Sequence, residues 1–104
     1  MAYKKNKMEL ENASQLDLEP FWQLVSFNGR TAVVVRPTHF EGIDLVDIRK
    51  MFIARDSETG DFVQNPENGK YKLLFTTKEI SIRREDLKNL ISELKKVSQI
   101  YIRS

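Results

Sequence analysis

Beyond residue 20 the apolar and polar positions fall into short β-prone runs separated by turn chemistry. Residues 21–27 form an aromatic-rich run, and Asn28-Gly29 follows it, a pair that tolerates positive φ and signals a tight hairpin. Residues 30–36 form the second run, dense in β-branched side chains at Val33, Val34 and Val35. Pro37 is expected to stop it, with Thr38, His39, Phe40 and Glu41 in a loop closed by Gly42. Residues 43–54 form the third run, where Val46 and Ile48 point one way and Asp47 and Arg49 the other. Residues 56–69 are polar and turn-rich, with room for a short paired segment at Phe62-Val63, and residues 71–82 read as a long fourth strand.

The period then changes. Leu87, Leu90, Ile91, Leu94 and Val97 recur at spacings of three and four, one stripe of an amphipathic helix over residues 84–98. Glu85 and Asp86 at its start and Lys95 and Lys96 near its end complement the helix macrodipole. Arg83 is a poor capping residue, and residues 99–104 fit either a short strand or a docked extension. Four strands followed by a helix define α+β architecture, a four-stranded antiparallel sheet with one C-terminal amphipathic helix. Residues 1–20 lack sustained periodicity and read as a flexible N-terminal arm, although Leu10, Leu16 and Leu18 offer points of attachment. Residues 21–104 are the domain.

Composition narrows the field without naming a function. At 104 residues, 40% apolar and 31% charged, the chain suits one globular domain. A domain of this size gains core by oligomerising. There is no cysteine, so disulfides, thiol nucleophiles and cysteine-ligated metals are excluded. No apolar run approaches the ~20 residues of a membrane span. The charged Met8-Glu9-Leu10-Glu11-Asn12 occupies the place of a signal-peptide apolar region. The expected location is therefore cytoplasmic: nucleoid-associated in a bacterium or phage, nuclear in a eukaryote. The formal net charge of +2 is a weak pointer to an anionic partner, its excess lying after residue 20.

The chemistry expected is binding rather than catalysis. His39 is the single histidine, so neither a multi-histidine metal site nor a histidine dyad forms within one chain. The four glycines are isolated turn residues, not a phosphate-cradling motif. The spacing of Asp44, Asp47, Asp56 and Asp61 lends no support to an oxygen-ligated metal site, so no cofactor and no metal are expected. By contrast, Arg36, Arg49, Lys72 and Lys78 lie on expected strands, and Phe40, Phe52 and Tyr71 lie on strands or in the adjoining loop. Single-stranded nucleic acid is bound by such pairings of cations with aromatic faces. Any half-exposed sheet also carries outward cations, so the pattern permits that reading without requiring it.

Residues 30–52, RTAVVVRPTHFEGIDLVDIRKMF, resemble the central motif of the transcriptional coactivator family of positive cofactor four, V-x-V-R-D-F-K-G-K-V-L-I-D-I-R-E-Y-W in outline. Val33, Val35 and Arg36 match V-x-V-R; Phe40 and Gly42 match F-x-G after two extra residues; residues 45–49 match L-I-D-I-R. Phe52 stands where the family has tryptophan, and Thr77-Lys78-Glu79-Ile80-Ser81-Ile82 resembles R-K-G-I-S-L ahead of the helix. The likeness spans about residues 25–97, and the same architecture occurs duplicated in the plant Whirly proteins.

The resemblance implies a curved sheet, a homodimer packed through the helix (Leu87, Leu90, Ile91, Leu94), and grooves for single-stranded or unwound DNA. Arg36, Phe40, Arg49, Phe52 and Lys78 become the candidate contacts, with Lys72 from the lengthened last hairpin, where Lys70 also lies. Two points stay open. Counted from Ile48, Phe52 falls on the inward side unless a β-bulge re-aims it. Arg49 serves equally as a salt-bridge partner of Asp47 across neighbouring strands or a dimer. The family's K-G-K is Glu41-Gly42-Ile43 here, and its R-K-G is Thr77-Lys78-Glu79, which weakens the cationic groove, with Lys70, Lys72, Arg30, Lys50 and Arg55 placed to restore charge. The expected function is sequence-tolerant single-stranded-DNA binding in transcription, replication or repair. The alternatives are docking of transcription or replication proteins, or RNA binding.

Overall fold

The computed structural model describes residues 9–103. It contains β1 (Gln23–Phe27), β2 (Thr31–Phe40), β3 (Ile43–Ile53), β4 (Leu73–Arg83) and α1 (Leu87–Arg103). The strands form one antiparallel sheet in the order β1-β2-β3-β4, so every neighbour in sequence is a neighbour in space.

Turn chemistry sets the hairpins. Between β1 and β2, the Asn28 side chain accepts hydrogen bonds from the amides of Arg30 (3.0 Å) and Thr31 (2.8 Å). Gly29 takes a φ of 98°, and a Cβ there would come within 3.1 Å of Glu9 Cβ. The turn therefore needs glycine for its positive φ, and any side chain there would also crowd the chain that crosses it.

Between β2 and β3 the expected loop is absent. β2 runs through Pro37 to Phe40, and Glu41-Gly42 alone make the turn, with φ of 49° and 82°. Pro37 is tolerated because β1 pairs with β2 only as far as Val35, so its missing N–H faces an unpaired edge. The polar stretch after β3 pairs lightly with itself, Arg55 opposite Phe62 and Gln64 opposite Tyr71, which places the expected Phe62 segment.

Register assigns the faces. Opposed residues share a face, so Ala32, Val34, Arg36, Thr38 and Phe40 lie beside Met51, Arg49, Asp47, Leu45 and Ile43. In β1, Val25 is an extra residue between Leu24 and Ser26, and that bulge turns both Leu24 and Phe27 toward the core. In β4, three residues (76–78) oppose Lys50 alone, and the even excess keeps Glu79 and Phe75 on one face. Trp22, just before β1, touches Phe75 of β4 at 5.8 Å between ring centroids. The sheet therefore curls around this face, which is called concave below.

The core lies at one end of the concave face: Leu16, Ala32, Val34, Met51 and Ile53. Alternation in β3 is as expected, but the inward side is that of Asp47, Met51 and Ile53, while Val46 and Ile48 are half-buried on the other. What makes it inward is the segment before β1. Residues 9–20 do not hang free as an arm: Leu16 is only 2% exposed, and Leu10, Ala13 and Leu18 pack beside it. Leu16 bridges Tyr71 in parallel, with Asp17 N donating to Tyr71 O and Tyr71 N to Gln15 O, both at 2.8 Å. The expectation failed because three leucines without periodicity still suffice when a neighbouring backbone offers pairing. The first eight residues of the expected arm lie outside the described residues.

The helix is longer than expected, absorbing residues 99–103, and is entered through a 3-10 turn, Arg84–Asp86, without a side-chain cap at Arg83. None of its residues is buried.

Leu16→Ala should lower stability by about 3 kcal/mol, as truncation of a buried leucine does. Urea unfolding would read this as a lower midpoint at unchanged slope. An unchanged midpoint would return the segment to a loosely attached arm.

Candidate nucleic-acid interface

The open end of the concave face is built around one carboxylate. Asp47 is 1% exposed, and its Oδ2 accepts from Arg36 Nε (2.8 Å) and Arg49 Nε (3.0 Å) while Oδ1 is buried without a partner among the described residues. Arg49 also donates to Thr76 O (3.0 Å) and pairs with Glu79. Burial alone would raise the Asp47 pKa; the hydrogen bonds from Arg36 and Arg49 outweigh it and hold the carboxyl below its ordinary value. The guanidinium of Arg36 stands 4.5 Å over Phe75 and 5.9 Å from Trp22, and that of Arg49 stands 5.1 Å over Phe75.

These residues floor a groove of about 330 Å³ lined by Arg36, Thr38, Phe40, Asp47, Arg49 and Glu79 among others. Phe40 rises at its rim, 62% exposed. The groove joins one aromatic ring to two guanidinium groups, but two arginines against two acids leave it nearly neutral. Arg49 is Asp47's partner within one strand, not across strands.

The expected contacts thus divide. Arg36, Phe40 and Arg49 meet in the groove. Phe52 is on the opposite, convex face with Thr31 and Leu74 and is 40% exposed. Its parity with Ile48 is as counted, and the exposure follows because that side is not the core. Lys78 lines a shallow hollow with Val33, Ile48 and Ile80. Lys72 stands apart from both, near Asp17, whose pKa is lowered by hydrogen bonds from Asn65 and Asn68 and by the nearby Lys70 and Lys72.

Sequence reasoning missed Trp22 and Phe75 as partners of the arginines, because that meeting depends on the curl of the sheet. The sequence offered Arg30, Lys50 and Arg55 only as compensating charge; that they meet Phe52 in one convex cleft depends on the fold. On α1, Leu87 and Leu90 are half-buried while Ile91, Leu94 and Val97 are exposed. Among the described residues no helix is long and apolar enough to cross a membrane. No family model, no curated protein and no solved structure matches the chain.

A carboxyl with a depressed folded pKa stabilises fully above its unfolded value of about 3.9, and that contribution is lost as pH falls through the lower folded value. Asp47→Asn should cost about 3 kcal/mol at pH 7, since it leaves two partly buried arginines short of their counter-ion. Urea unfolding at pH 5 and pH 3 should also show a smaller acid loss in the variant than in the parent. Equal acid losses would remove Asp47 as the seat of the effect.

Proposed function

We propose that the chain is a sequence-tolerant single-stranded-DNA-binding module that works as a homodimer in transcription, replication or repair, and that it is a binding protein rather than an enzyme. The observation that carries this reading is the concave groove, where Arg36 and Arg49, packed over Phe75 and, for Arg36, beside Trp22, meet the exposed Phe40. Bases stack on such faces regardless of identity, which suits a binder without strong sequence preference. The resemblance to positive cofactor four across residues 25–97 points the same way. The near neutrality of the groove implies modest affinity from this surface.

Dimerisation is supported by what the fold leaves uncovered. The apolar stripe of α1, from Leu87 and Leu90 through Ile91, Leu94 and Val97, is not buried within the protomer. The convex face also carries Val35, Val46, Ile48, Ile80 and Ile82 away from the core. A second copy covers both at once. The same stripe favours a second reading, a docking module for transcription or replication proteins. RNA is an alternative strand because stacking alone does not distinguish sugars.

Trp22, the chain's single tryptophan, neighbours the groove through Arg36, 5.9 Å from its ring. Titration with an oligothymidylate at low salt should quench its fluorescence, and Phe40→Ala should weaken binding about tenfold, the loss of one stacked base. Absence of any binding at low salt would exclude the DNA reading. Light scattering should give a dimer, converted to a monomer by Ile91→Glu with Leu94→Glu. A monomeric parent at micromolar concentration would exclude the paired arrangement.

A further inference from the structure

On the convex face, at the end of the sheet opposite the Glu41-Gly42 turn, lies a cleft of about 500 Å³, within the ~300–1,000 Å³ range of small-ligand sites. Phe52 and Leu74 contribute apolar surface, and Arg30, Lys50, Arg55 and Phe62 complete its character. Among the described residues no acidic side chain lines it. This is the reverse of the concave groove, in which each arginine already has a carboxylate.

The three cations differ in how they are held. Arg55 is fixed, its guanidinium 4.7 Å over the Phe62 ring and its NH1 donating to Gly60 O at 3.1 Å. Neither Arg55 nor Lys50 has an acidic partner among the described residues. Arg30 has Glu9 at 3.6 Å, a loose pair between two half-exposed side chains that costs little to displace. An anion entering the cleft therefore meets positive charge without first breaking a buried ion pair. Phe52, 40% exposed on a strand flanked by these cations, offers it aromatic surface.

We propose that this cleft is a second single-strand subsite, in which one nucleotide stacks its base on Phe52 while its flanking phosphates are held by Arg30, Lys50 and Arg55. The inference rests on the DNA-binding reading and changes it in one respect: the salt-dependent part of binding comes from the convex cleft, and the concave groove contributes mainly stacking. An acidic peptide would use the cations without needing the ring, which separates the two ligands experimentally.

Anisotropy of a labelled oligothymidylate, measured over a series of salt concentrations, tests this. Each phosphate neutralised on a single strand contributes about −0.7 to the slope of log affinity against log salt. Lys50→Glu with Arg55→Glu should weaken binding at least about tenfold and flatten the slope by about 1.4, two phosphates' worth. Phe52→Leu, which keeps the apolar bulk and removes the ring, should weaken binding about tenfold with the slope unchanged. Phe52→Tyr should restore it.

Amide shift mapping on the unaltered protein makes the result independent of any variant's folding. The shifts should include residues 28–31, 50–55, 62 and 74. An unchanged slope in the Lys50/Arg55 variant, unaltered affinity in Phe52→Leu, or shifts confined to the concave groove would each overturn the cleft while leaving single-strand binding intact. A parent that binds no oligonucleotide at low salt would overturn the DNA reading itself, and this inference with it.

Discussion

A single sheet buries nothing until something lies against it, and in this chain the first thing that does so is residues 10–18. Leu16 fills the concave face beside Val34, Met51 and Ile53, and the backbone on either side pairs with Tyr71. The same segment is fastened at Asp17, whose carboxylate accepts from the side chains of Asn65 and Asn68. The polar stretch after β3 thereby becomes a clasp rather than a loose loop. Gly29 belongs to the same arrangement, since a Cβ there would press on the crossing chain at Glu9. Everything else about the molecule follows from this plug covering only part of one face.

Where the plug ends, the concave face is filled differently. An apolar side chain at position 47 would have extended the core; Asp47 instead fixes Arg36 and Arg49, which in turn lie on Trp22 and Phe75. Burying one carboxylate with two arginines is weak as a source of stability but strict about geometry, because an unpaired member is costly. The arrangement fixes both guanidinium groups and offsets much of their charge. Glu79, paired with Arg49, removes most of what positive field remained.

Much of the architecture was legible in the residues because it is local. Asn28-Gly29, the alternation through β3 and the three-four spacing of the helix each report on neighbours within a few positions. What was not legible was long-range. Pro37 signals an end only if its strand is paired on both sides, and the shortness of β1 is not written at position 37. Leu16 has no periodic companions, so its burial depends on Tyr71, 55 positions away. The two sides of β3 were distinguished but assigned in reverse. An Asp-Ile-Arg sequence favours the apolar side as inward, and only the plug and the paired charges make the Asp47 side the buried one. The candidate site split for the same reason. Arg36 and Arg49 share a face by parity, whereas Phe52, three residues beyond Arg49, takes the other.

That split bears on how the proposed self-association and strand-binding surfaces would fit on one small sheet. The convex face is divided along its length. Toward the helix it carries Val35, Val46, Ile48, Ile80 and Ile82, and toward the β1–β2 turn it carries Phe52, Lys50, Arg30 and Arg55. Lys78, at the β4 bulge, lies between them. A partner helix seated on the apolar half would leave the cationic half open, and desolvating the cations would oppose its sliding further. The bulge is the boundary device: by inserting two residues opposite Lys50 it separates the two halves of β4 without reversing which side chains face which way. The concave groove remains outside this competition altogether, so the surfaces proposed for self-association and for strand binding need not exclude one another.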